Sequence, residues 1–146
     1  CRCHYIPYTT APPAASIPSL NSAVFDFIND IKNDIVHVGF VTADLCLAEL
    51  TRAELLYGAL RSSQATHLLQ RINELVSPYA HLPFGGEAAE HYADIRMRLE
   101  KVGKPISPND LIIAATARAA SATLVTANLR EFSRVPGLKC RDWTAD

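Results

Sequence analysis

Apolar residues recur at helical spacing in five stretches of the chain, with short strand-like runs between several of them. In "NSAVFDFINDIKND" (21–34) Val24, Phe27, Ile28 and Ile31 fall on one face behind an Asn or Ser cap, which predicts a helix. "DLCLAEL" (44–50) alternates its apolar side chains and reads as a strand, followed by a helix over "TRAELLYGALRS" (51–62). "THLLQRINELVSP" (66–78) carries a stripe of Leu68, Leu69, Ile72, Leu75 and Val76 that Pro78 stops, and "AHLPF" (80–84) is a short strand. "EAAEHYADIRMRLEKVG" (87–103) is the clearest amphipathic helix, with Ala88, Tyr92, Ile95, Leu99 and Val102 in line and Gly103 closing it. A helix over "PNDLIIAATARAA" (108–120) leads into a buried strand "ATLVTAN" (122–128), and "GLKCRDW" (137–143) is read as an edge strand. The lone Gly85-Gly86 pair reads as a turn.

Strands separated by helices predict an α/β domain with a parallel or mostly parallel sheet. Ligand sites in such sheets gather where strands end and helices begin. Three polar clusters fall at junctions of that kind: Thr51 to Glu54, Ser107 to Asp110, and Thr126 to Glu131.

Composition narrows the reading without changing it. With 146 residues, nearly half hydrophobic and a fifth charged, the chain is long enough to bury one core without staples. No apolar run approaches the ~20 residues of a membrane span, and a cytoplasmic protein is expected. The opening "CRCHYIPYTTAPPAASIPSL" has no apolar run followed by a cleavage site, lacks an initiator Met, and reads as an altered or truncated beginning. Cys1, Cys3, Cys46 and Cys140 show no zinc spacing and are expected to be incidental thiols. The net charge of −1 hides an asymmetry: residues 1–90 hold five Lys/Arg against nine acids, and residues 91–146 hold nine against six. A basic second half can serve phosphate, or be scattered surface charge.

Each acid at the three junctions has a structural explanation. Thr51-Arg-Ala-Glu54 and Ser107-Pro-Asn-Asp110 both fit a capping box, the second with Pro108 at the first helical position. Asn128 can cap a short helix that carries Arg130 and Arg134. The combination points further. A hard divalent cation takes several oxygen ligands, and phosphodiester hydrolysis uses such ions to polarise the phosphoryl group and generate hydroxide. Histidine chemistry is set aside: His4, His37, His67, His81 and His91 form no HExxH spacing, and His67 and His91 fall on helix surfaces. No GxSxG elbow, GxxxxGK[ST] loop or GxGxxG fingerprint is present, which weighs against a hydrolase triad and a nucleotide-binding domain. Tyr57 and Trp143 are read as core or interface anchors.

From about Asp44 to Trp143 the chain resembles PIN-domain proteins of the VapC toxin family. "LTRAELLYGAL" is similar to the segment holding that family's second acid, here Glu54, and "KPISPNDLIIAATA" to the loop holding its third, here Asp110. "TLVTANLREFSRVPGLKCRDW" resembles the last motif, placing Thr126, Asn128 and Glu131 in the site. The resemblance implies a Rossmann-like three-layer sandwich over residues 21–146 behind an atypical segment of residues 1–20. It implies a Mg²⁺- or Mn²⁺-dependent endoribonuclease, with Glu54 and Asp110 on the metal, Glu131 or else Asn128 as a further ligand, and Thr126 orienting a water or phosphate. It also implies an RNA substrate, often a tRNA, a VapB-like antitoxin and a homodimer. Arg130 and Arg134 are the candidates for RNA phosphate.

One departure bears on activity. The family opens on a strand ending in Asp-Thr-Asn, whose Asp is the first metal ligand, whereas this chain has no acid before Asp26. Tyr8-Thr9-Thr10 occupies the expected slot, and Asn21-Ser22 a weaker one. Pro7, Pro12 and Pro13 argue against a central strand there. The alternative that follows is a catalytically inactive PIN fold that keeps antitoxin binding and dimerisation.

Overall fold

A computed structural model describes residues 4–5 and 45–142 of the chain. The helix expected at 21–34, the positions considered for the first acid, and Trp143 lie outside the described residues. Five strands form one sheet in the order β3-β2-β1-β4-β5, every neighbouring pair parallel. They are β1 (His4–Tyr5), β2 (Leu45–Ala48), β3 (Ala80–Leu82), β4 (Thr123–Val125) and β5 (Lys139–Arg141). The central strand thus comes from the opening segment after all: it lies ahead of Pro7, so its backbone N–H groups remain available to both neighbours.

Among the described residues five helices connect and cover the sheet: α1 (Glu49–Leu60), α2 (Ala65–Val76), α3 (Glu87–Lys101), α4 (Pro108–Ala119) and α5 (Leu129–Phe132). All four residues of β2 are buried, as a parallel strand covered on both faces requires. Leu47 packs with Leu55, Ala59, Leu68, Ile72 and Val76 of α1 and α2. Its neighbour Ala48 joins a second core with Ile95, Leu99, Leu111, Ile113, Leu124 and Phe132. Successive strand residues face opposite ways, so the two cores place helices on both faces and make a three-layer arrangement.

α4 is the most enclosed helix. Ile113, Ala114, Ala115 and Ala117 are fully buried, and their small side chains let α4 approach both α3 and the sheet. Arg118, near its end, ties three elements together. Its guanidinium donates to His91 Nδ1 at 2.7 Å, to Asp94 Oδ2 at 2.7 Å and to the carbonyl of Pro136 at 2.9 Å. His91 is therefore a half-buried acceptor rather than a surface polar position, while His67 is exposed as expected.

Three local expectations change. α1 begins at Glu49, straight off the strand, with Ala48 as N-cap and no side-chain cap, so Thr51 is not a cap but a buried residue inside the helix. Val102 lies just past α3 and is exposed, and Tyr57 is also exposed, under Arg61 at 5.8 Å, so neither belongs to the core. Cys46 is buried in β2 and Cys140 half-buried in β5, where burial pushes its thiol up to about 11, which fits an unreactive structural role.

Candidate functional site

The elements that follow β2 and β4, together with the first turn of α4, bring the three polar clusters to one end of the sheet. Strand-to-helix handover sets the first cluster. Because α1 starts at Glu49, Glu54 falls on the turn that faces the start of α4. Its Oε1 accepts a 2.8 Å hydrogen bond from Asn109 Nδ2, although the two residues are 55 positions apart.

Asp110 sits one residue further along α4 and is 8% exposed. Ser107 caps this helix: its Oγ accepts from the Asp110 backbone N–H at 3.1 Å and donates to Asp110 Oδ2 at 2.8 Å. The expected capping pair is present, in a variant where the carboxylate returns to the hydroxyl rather than to the Ser107 backbone. Pro108 at the first helical position costs no hydrogen bond there.

The two acids are not at ease without a counter-charge. Burial raises the pKa of Asp110, the Ser107 bond opposes that shift, and the charge of Glu131 adds to it. Burial also raises the pKa of Glu54; the Asn109 bond opposes it and the charge of Asp110 adds to it. Glu54 thus feels the charge of Asp110, and Asp110 that of Glu131.

Glu131, in α5, accepts from Arg134 Nη1 at 3.0 Å, so both members of that pair are engaged. Arg130 is exposed. Thr126 is 4% exposed; its backbone N–H bonds the carbonyl of Arg141 at 2.9 Å and its hydroxyl accepts from the Asn128 backbone N–H at 3.0 Å. Asn128 occupies the N-cap position of α5 but makes no side-chain capping bond. Among the described residues no three His, Cys, Asp or Glu side chains form a group that could hold a metal ion. The structure brings Glu54 beside Asp110 and Asp110 near Glu131, and it joins Thr126 to Asn128.

Asn109, bonded to Glu54, is the neighbour of the candidate site that reasoning from sequence passed over. Its one signal is position: a polar amide in a helix first turn already capped by Ser107, hence with no local duty.

A parallel sheet with helices on both faces and acids at the strand-to-helix junctions is the architecture of PIN domains, and the PIN-domain family model matches residues 21–138. The chain belongs to that family. Within it the resemblance is to VapC proteins. The tRNA(fMet)-specific endonuclease VapC of Salmonella typhimurium is 32% identical over 84% of this chain and 93% of its own length. The protein of the same name from Shigella flexneri is 39% identical over 68% of this chain and 76% of its own. Among solved structures, the DNA-bound VapBC of Salmonella typhimurium superposes with a TM-score of 0.77 at 28% identity, covering 98% of this chain and 99% of that one. VapBC-1 of nontypeable Haemophilus influenzae gives the same TM-score, 0.77, at 26% identity and 97% and 98% coverage. Nucleases of this kind generally depend on a divalent metal. No helix of the described residues is long and apolar enough to cross a membrane.

Proposed function

We propose that this chain is a metal-dependent endoribonuclease of the VapC type, the toxin of a pair with a VapB-like antitoxin, hydrolysing RNA phosphodiester bonds. The relatives named as tRNA(fMet)-specific endonucleases make a tRNA the first substrate to try, and the VapBC complexes supply the model for the partner. A homodimer working in the cytoplasm belongs to the same reading. The observation that carries it is the pair of desolvated acids, Glu54 and Asp110, held side by side from α1 and α4.

The donor set fits Mg²⁺ or Mn²⁺ in kind. It consists of hard oxygens whose charge is disfavoured first by burial and then by a neighbouring acid, Asp110 for Glu54 and Glu131 for Asp110, a cost that a cation relieves. Glu54 and Asp110 would hold the ion, with Glu131 completing the set once Arg134 gives way. A bound ion supplies Lewis-acid polarisation of the phosphoryl group and a more acidic water. The chain's own residues do the rest. Ser107 fixes the Asp110 carboxylate by its hydroxyl, and the Thr126 hydroxyl and the Asn128 amide would orient a water or a phosphate oxygen. Arg130, exposed beside them, contacts RNA phosphate. Arg134 reaches phosphate only by exchanging its bond to Glu131.

A second reading, an inactive PIN fold that binds antitoxin, draws on the lack of any three-acid group among the described residues and of any acid before Asp26. Mn²⁺ calorimetry and RNA cleavage by this chain, by Asp110→Asn and by Tyr8→Asp separate the two. Metal-dependent cleavage that disappears in Asp110→Asn supports the nuclease. Metal binding and cleavage gained only in Tyr8→Asp mark a disabled nuclease lacking its first ligand. Absence of both in a folded chain that captures an antitoxin peptide establishes the binding module.

A further inference from the structure

We propose that Asn109 is a positioning residue of the metal site, holding the Glu54 carboxylate in the pose in which it meets a divalent cation beside Asp110. The inference rests on the metal-site reading above and adds a residue to it. A Glu side chain has three rotatable bonds, and fixing it costs conformational entropy. At Glu54 one contact does the fixing. Asn109 Nδ2 donates to Oε1 at 2.8 Å, and among the described residues nothing else is bonded to that carboxylate. The amide takes one lone pair of Oε1 and leaves Oε2 without a partner among the described residues, so the carboxylate keeps acceptor capacity for a cation.

Three features separate this contact from ordinary surface polarity. The helix start needs nothing from Asn109, because Ser107 caps it and Pro108 has no N–H to satisfy. The bond crosses between two helices whose first turns lie at the same end of the sheet, so one turn of α4 sets both Asp110 and, through Asn109, Glu54. The donor is also neutral. A Lys or Arg in its place would restrain Glu54 as well but would cancel the charge that a cation needs, whereas an amide orients the carboxylate and leaves its charge in place.

The test is calorimetric titration of the full chain with Mn²⁺ alone, comparing wild type with Asn109→Ala, Asn109→Gln, Glu54→Gln and Asp110→Asn. Thermal unfolding and RNA cleavage at limiting and saturating Mn²⁺ are followed in parallel. The expected result is that Asn109→Ala weakens Mn²⁺ binding about tenfold with Tm nearly unchanged. Cleavage falls at limiting Mn²⁺ and recovers at saturation, and Asn109→Gln, which keeps the donor on a longer arm, regains part of the affinity. If Asn109→Ala binds Mn²⁺ like wild type while Glu54→Gln does not, the positioning role is overturned and the metal site stands. If affinity and Tm fall together with no gain in Asn109→Gln, Asn109 is a packing residue and the proposal is wrong. If wild type binds no Mn²⁺, the metal reading itself fails.

Discussion

Ser121 holds at the end of α4 the place that Gly103 holds at the end of α3. Both have positive φ, 52° and 67° respectively, and both close their helix by the same pair of bonds. The N–H of Ala122 reaches the Ala117 carbonyl at 2.9 Å and that of Ser121 the Arg118 carbonyl; Lys104 and Gly103 do the same to Leu99 and Glu100. Glycine is the usual residue at this left-handed position, because a Cβ crowds the following carbonyl.

Ser121→Gly is therefore expected to stabilise the domain by about 0.5–1 kcal/mol, the relief of left-handed strain less the added flexibility of the unfolded chain. Gly103→Ala, the mirror substitution, should destabilise it by about 1 kcal/mol. Urea unfolding of both variants checks the pair. Equal stability of Ser121→Gly and wild type would show that Ser121 carries no strain.

Asp110→Asn should raise stability in metal-free buffer at neutral pH. Burial and Glu131 raise the Asp110 pKa in the fold, so the folded state holds the proton more tightly than the unfolded one. The ionised carboxylate then costs stability above the folded pKa. That cost disappears as pH falls below the unfolded value near 3.8. The amide oxygen of Asn still accepts from Ser107, so the substitution removes charge without undoing the cap. Its Tm advantage should be largest near pH 7 and vanish toward pH 3.5. A variant less stable than wild type at pH 7 would contradict this.

Cation binding should be opposed by protons. Glu54 and Asp110 both titrate above their ordinary range, so Mn²⁺ affinity should fall as pH drops from 7 into the mildly acidic range, earlier than for unperturbed carboxylates. Titrations in buffers of differing ionisation enthalpy should show proton release on binding in that range. Mn²⁺ should raise the Tm of wild type but not of Asp110→Asn, and chelator should return wild type to its metal-free Tm.

Arg118→Met should cost about 2–4 kcal/mol. The Arg118 side chain is 13% exposed, and its guanidinium bridges α3, α4 and the Pro136 turn through Asp94, His91 and a carbonyl. Asp94 keeps its second partner, Arg98 at 2.6 Å, which holds the loss below that of a stranded buried charge. Arg118→Lys should recover little, since one ammonium cannot reach three acceptors in the plane of a guanidinium fork. A loss under 1 kcal/mol in equilibrium unfolding would sink this account.

What could be read from sequence was what is local. The start of α4 was legible because Ser107, Pro108 and Asp110 act within one turn, and the end of α3 because Gly103 supplies its own conformation. Thr51 misled for a tertiary reason. Its capping pattern is genuine, but β2 hands over to α1 at Glu49, and burial against the rest of the fold absorbs Thr51 into the helix. The His4–Tyr5 strand was obscured by the prolines that follow, which govern the chain after Tyr5 and not the two paired residues. The positions of Glu54 and Asp110 were legible from motif resemblance, whereas their link through Asn109 is a contact between helices that no spacing in the chain announces.

The strand order has a consequence for how the molecule comes into being. His4–Tyr5, made before the other four strands, ends up between Leu45–Ala48 and Thr123–Val125, so one flank of the central strand waits for a segment synthesised more than a hundred residues later. A ribosome that has not yet reached α4 carries half a sheet with an open edge and Glu54 without Asp110 or Asn109. Such a nascent chain cannot assemble the acid pair, however well its first helices form. Assembly of the acid pair is thus withheld until α4 has left the ribosome, well after β1, β2 and α1 have been made.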